Sequence, residues 1–166
     1  MRAWFSREAE LLKVGDMAPD FSAAAHDGTT VRLKDYLGHG PVVLYFYPKD
    51  DTPGCTKEAC GIRDGFTGFK GLNATVLGVS FDSVANHQKF IEKYKLPFVL
   101  LADTDKKISV AYGAASPHSW WASRITYVID AQGKIARVFP KVSPAKHSAE
   151  LRQAVAELAQ VPPAAR

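Results

Sequence analysis

The chain has 166 residues, 46% of them apolar, which suffices for one continuous core and not for two comfortable domains, so residues 1–166 are expected to form a single domain. No run approaches the roughly 18 apolar residues of a membrane span, and Arg2, Arg7, Glu8 and Glu10 break up the start, so neither a membrane nor a secretory segment is expected and the cytoplasm is the expected compartment. The formal charge of +4 is scattered among acidic residues, with Lys106-Lys107 the longest basic run, so nucleic acid is not an expected partner.

In chain order, residues 1–11 read as an N-terminal extension, and Asp27-Gly28 reads as a hairpin turn between two short segments. Val42 to Tyr47 is a run of apolar and aromatic residues that reads as a strand. Thr52 followed by Pro53 reads as a helix start, with threonine at the N-cap and proline at the first helical position. Thr75 to Phe81 is a second strand, and these two are long enough to be central. Val84, Phe90, Ile91 and Tyr94 keep one face of a helix apolar. Phe98 to Leu101 and Ile125 to Ile129 are further strands, and Gln132-Gly133 turns the chain into Ile135 to Phe139. Leu151, Ala154, Val155, Leu158 and Ala159 mark a last helix, and the stretch Val161 to Arg166 reads as a frayed tail. Both amphipathic helices are expected to pack on a sheet, in an α/β order.

The two cysteines, Cys55 and Cys60, are a poor framework for a secreted disulfide scaffold and too few for a structural zinc site unless histidines join. His26, His39, His87, His118 and His147 are scattered, and no metal site is expected. Neither a phosphate-binding loop nor a dinucleotide fingerprint occurs, so no cofactor is expected. The helix start places Cys55 in a first turn, at the end of the strongest strand, where open α/β sheets form their sites. A cysteine there meets unpaired backbone N–H groups and the positive end of the helix, which favour the nucleophilic thiolate. Asp50 and Asp51 read as acidic residues in the ordinary place before a helix N-terminus, and Trp120-Trp121 as partial core, with a protein-binding patch the alternative if they are exposed.

Pro48, Thr52 and Cys55 stand as in the Pro-x-x-x-Thr/Ser-x-x-Cys motif of peroxiredoxins, and the stretch YFYPKDDTPGCTKEACGIRD resembles the peroxiredoxin Q group, also called bacterioferritin comigratory proteins. Val14 to Phe21 and Ser123 to Asp130 match as well, and the similarity runs from about Leu12 to Leu158. The resemblance implies a thioredoxin-like fold with a central mixed sheet, flanking helices and an N-terminal hairpin. It implies Cys55 as the peroxidatic cysteine, Cys60 as the resolving cysteine in the same helix, and Thr52 as a hydrogen-bonding partner of thiolate and peroxide. Pro48 would shield the pocket, and Arg124 would stabilise the thiolate and orient the substrate. The implied partners are a hydroperoxide and thioredoxin or a similar dithiol, with the protein a monomer. The chain departs from the family before Arg124, where many relatives are longer and contain Gly and Lys, whereas Tyr112 to Ser123 is compact and carries Pro117, His118, Trp120 and Trp121.

Two rivals to a peroxidase are a thiol–disulfide oxidoreductase, which usually carries Cys-x-x-Cys where this chain has four residues between its cysteines, and a redox-switched holdase. Helix geometry adds a further expectation. Five residues along an α-helix separate two Cα atoms by roughly 8.7 Å, and a disulfide needs no more than about 6.8 Å. The reduced protein should therefore hold both cysteines in one continuous helix that has to open for them to bond.

Overall fold

A computed structural model describes residues 10–159; most of the N-terminal extension and the tail from Val161 to Arg166 lie outside the described residues. Strands β1 (Ser22–Ala25) and β2 (Thr30–Arg32) form the expected hairpin, with Gly28 at the left-handed φ of 85° that the turn requires. After a short 3₁₀ turn come β3 (Val42–Phe46), α1 (Pro53–Asp64), α2 (Phe66–Gly71), β4 (Thr75–Ser80), α3 (Val84–Tyr94), β5 (Val99–Ala102) and α4 (Lys107–Ala111). Strands β6 (Ile125–Ile129) and β7 (Ile135–Phe139) then form the second expected hairpin, and α5 (His147–Ala159) follows.

The seven strands make one mixed sheet in the order β2-β1-β5-β4-β3-β6-β7. Strands β3, β4 and β5 run parallel because helices cross over between them, and β6 returns antiparallel to β3. The two long strands are interior, as their continuous apolar character requires. This is the thioredoxin-like arrangement expected from the resemblance.

Alternation along β3 divides the core in two. Val42, Leu44 and Phe46 face a layer closed by Ile108 of α4, Tyr112 and the N-terminal hairpin. Val43, Tyr45 and, beyond the strand, Tyr47 face α1, α3 and α5, whose buried residues include Cys55, Ala59, Ile62, Phe90, Leu151 and Val155. The two amphipathic helices thus pack on the sheet as their spacing predicts. Space is tight beneath α1: the Tyr45 ring lies so close to Gly78 of β4 that a Cβ there would stand 2.8 Å from it. Helices α2 and α4 carry too short an apolar pattern to be read from sequence, and only the packing of Phe69 and Ile108 against the sheet reveals them.

Candidate active site

The site is built at the carboxyl end of β3. Tyr47 continues the sheet by donating its N–H to Val79 O, and half-buried Pro48 turns the chain away from the strand. The loop then passes through Asp51, whose φ of 57° is left-handed and tolerable for aspartate, and enters α1 at Thr52. Proline at the first helical position and the extended backbone of Thr52 are as expected.

The threonine side chain does not cap the helix, however. Its hydroxyl donates to Lys49 O at 2.9 Å and closes the turn behind it. The first backbone N–H groups of α1, which no helix can satisfy internally, are therefore left without that partner beside Cys55. The missing cap bond keeps donors free where an anion would sit.

Cys55 is the third helical residue, and its thiol is buried. Arg124 reaches it from the start of β6: Nη2 lies 3.2 Å from Sγ. Sheet register delivers the arginine, because Phe46 pairs with Ile125 and Arg124 is the next residue outward, at the same edge as the loop. The approach also needs Gly54, since a Cβ at that position would lie 2.6 Å from Nη2.

The other guanidinium nitrogen, Nη1, donates to Oε1 of Glu58 at 3.1 Å. Glu58 lies one turn beyond Cys55 on the same helix face, with its side chain fully buried and its second oxygen, Oε2, without a partner. Burial pushes its carboxyl up from the ordinary 4.5 to about 7, and Arg124 only partly opposes that shift. Sequence reading missed Glu58. The available signal was the apolar stripe Cys55, Ala59, Ile62, on which Glu58 falls.

Cys60 lies further along the unbroken helix, half-buried and about 140° around the axis from Cys55. Both sulfurs are free. The structure thus brings Cys55, Arg124, Gly54 and Glu58 together, with Thr52 and Pro48 forming the adjoining turn.

Asp50 and Asp51 serve differently from the helix-end charges expected. Asp51 accepts from Lys93 Nζ at 2.8 Å and Tyr94 Oη at 2.7 Å, tying the loop to α3. Asp50 is buried, and its carboxylate receives the Tyr47 hydroxyl at 2.5 Å and meets His87 Nδ1 at 2.6 Å. His87 Nε2 donates to Leu101 O at 2.9 Å, so both ring nitrogens have a partner. Asp82 completes the network, accepting from the Asp50 N–H at 2.9 Å and the Ser80 hydroxyl at 2.5 Å. The fold therefore joins a histidine to two carboxylates that are far apart in sequence, although the histidines looked scattered. Donor atoms of Asp50, Asp82 and His87 lie within 4.8 Å of one another, but the hydrogen bonds just described already occupy them.

Trp120 and Trp121 are not partial core: they are 87% and 61% exposed. The buried positions of that segment are taken by Ala114, Ala115 and Ala122. Among the described residues, no helix is long and apolar enough to cross a membrane.

A buried cysteine in the first turn of a helix, with an arginine on its sulfur, is a chemically specific arrangement. The model of the AhpC/TSA family matches residues 14–138. The chain belongs to that family. Among curated relatives, the putative peroxiredoxin bcp of Coxiella burnetii is 44% identical over 146 residues, covering 84% of this chain and 96% of its own. Peroxidoxin BcpB of Mycobacterium tuberculosis superposes with a TM-score of 0.82 at 34% identity, over 89% of this chain and 98% of its own. A bacterioferritin comigratory protein from Xanthomonas campestris, described for its alkyl peroxide reduction activity, gives 0.79 at 29% identity, over 84% and 92% of the two chains.

Proposed function

We infer that the protein is a thiol peroxidase that reduces hydrogen peroxide and organic hydroperoxides. The observation that carries the reading is the Arg124 Nη2 contact with the Cys55 sulfur at the first turn of α1. One cation and the free helix N–H groups together would hold the anionic sulfur and the oxygen on which negative charge develops.

In the proposed cycle the Cys55 thiolate attacks the terminal peroxide oxygen. The O–O bond breaks, the departing oxygen leaves as water or an alcohol after gaining a proton, and Cys55 becomes a sulfenic acid. Cys60 then attacks the Cys55 sulfur and expels hydroxide, which leaves as water, to give a disulfide. Thioredoxin or a similar dithiol restores both thiols by exchange through a mixed disulfide. Thr52 contributes its oxygen lone pairs at the mouth, and Pro48 limits water access to the pocket.

The test is peroxide-dependent turnover with a thioredoxin system. Cys55→Ser should abolish it, because an alcohol supplies almost no anion at neutral pH. Cys60→Ser should consume one equivalent of peroxide and stop at a sulfenic acid, read by intact mass. Normal turnover in Cys55→Ser would overturn the proposal, and normal thioredoxin-driven turnover in Cys60→Ser would remove Cys60 as the resolving thiol.

A further inference from the structure

Two large apolar side chains stand in solvent beside the site. Trp120 and Trp121 belong to the segment between α4 and β6, three or four residues before Arg124, so the Cα of Trp121 lies within about 11 Å of that of Arg124. The tryptophans are held out by an ordered turn. Ser116 N donates to Ser119 Oγ at 2.9 Å, and Lys106 Nζ donates to Ser119 O at 2.7 Å. On the far side, Ser123 N donates to Ala114 O at 2.8 Å. Hydrogen bonds thus fix the backbone before and after the pair.

Exposed charge close to the cysteine is mainly basic: Glu58 is buried against Arg124, and Asp51, in the loop before α1, is paired with Lys93. Three stretches frame Cys55: 52–57 at the head of α1, 112–124 leading into β6, and 140–146 leading into α5. Pro144 of the last stretch would lie 3.8 Å from a Cβ on Gly54, which brings it to the same helix turn. None of the three contains Asp or Glu, whereas they carry Arg124 and the exposed Lys57, Lys141 and Lys146. Acidic residues occur elsewhere along the chain, so the rim differs from the scattered surface charge that the sequence suggests.

We propose that Trp120 and Trp121, set in this basic rim, are the docking surface for the reductant, an acidic dithiol protein that regenerates the two cysteines. The inference rests on the peroxidase reading above and names where its electron donor binds. Indole rings this exposed would leave a small ligand largely in water, whereas an exposed tryptophan pair on a segment free of acidic residues suits a protein interface. The position also serves the chemistry. A donor thiolate attacks one sulfur of the Cys55–Cys60 disulfide and expels the other as a thiolate. The donor's second thiol then breaks the mixed disulfide, so two electrons and the accompanying protons pass from the donor to the enzyme. Such exchange needs the donor seated over α1, where the rim would hold it.

The experiment compares wild type with Trp120→Ala/Trp121→Ala and with Lys141→Glu/Lys146→Glu. Each is assayed with an acidic thioredoxin, its reductase and NADPH, and in parallel with dithiothreitol as the reductant. Both variants should raise the KM for thioredoxin at least about tenfold. Single-turnover oxidation of Cys55 by hydrogen peroxide and turnover with dithiothreitol should stay as in wild type. An unchanged KM for thioredoxin in the tryptophan variant would overturn the inference. So would a defect confined to oxidation by cumene hydroperoxide, which would make the rings a substrate platform, or wild-type binding to phosphatidylglycerol vesicles lost in the variant, which would make them a membrane contact. Wild type that fails to turn over even with dithiothreitol would overturn the peroxidase reading, and this inference with it.

Discussion

Two groups of buried and half-buried polar side chains flank the loop from Pro48 to Thr52, and they differ in how completely their hydrogen bonds are met. On one side Tyr47, Asp50, Asp82, Ser80 and His87 form a closed network in which the carboxylates are held by several donors. On the other side Arg124 is shared between Cys55 and Glu58, and Glu58 keeps one buried oxygen unpartnered. A closed network fixes backbone position, because every opening leaves a buried group without a partner. An open one retains charge and bonding capacity for a reacting molecule. The loop is thus anchored by the first group so that the second can be left incomplete.

The two groups should respond most differently to loss of Arg124. Arg124→Ala should lower the second-order rate of peroxide reduction by about 100-fold or more, the scale for losing one preorganised charge partner, and should also cost stability because it leaves the Glu58 carboxyl buried without a partner. Stopped-flow oxidation of Cys55 measures this, and an unchanged rate would reduce Arg124 to a surface charge. Asp50→Ala strikes the closed side. It should cost roughly 3 kcal/mol of stability in urea denaturation by leaving Tyr47 and His87 unpaired, while slowing peroxide reduction far less than Arg124→Ala does. A loss under about 1 kcal/mol would show that the network does not hold the loop.

Acidity sharpens the contrast. The carboxyl of Glu58 is raised in the folded protein to about 7, so between its ordinary 4.5 and that value the folded state binds more protons than the unfolded one. This contribution is fully present below pH 4.5 and is lost as pH rises through about 7. It amounts to about 3 kcal/mol across that window. Urea titrations of wild type and Glu58→Gln between these pH values should converge in slope on the acid side and diverge towards neutrality. Parallel curves would mean that Glu58 titrates normally. The most local effect concerns α1 itself. Amides from Cys55 to Phe66 should exchange slowly in the reduced protein and faster once Cys55 and Cys60 are bonded, because a helix keeps their Cα atoms too far apart. Equal protection in both states would refute the coupling of chemistry to local opening.

Much of the fold was legible because its signals are local. The apolar runs at β3, β4 and β6, the Asp27-Gly28 and Gln132-Gly133 turns, and the spacing of Val84, Phe90 and Ile91 each state a period or a turn that short-range sterics impose. Helix α4 was not legible, since five residues carry too short a pattern. Thr52 shows the boundary within one residue: its position at the helix start followed from the sequence, and the partner of its hydroxyl did not.

The sequence by itself determined the strand order along the chain, the helix that begins at Pro53, and the placement of Cys55 in its first turn, because these depend on residues adjacent to one another. Only the tertiary structure decided that Asp50 would meet His87, that Glu58 would be buried against Arg124, and that Trp120 and Trp121 would stand in solvent. Those outcomes depend on residues up to 66 positions apart and on which side chains the core takes in, neither of which a local pattern records.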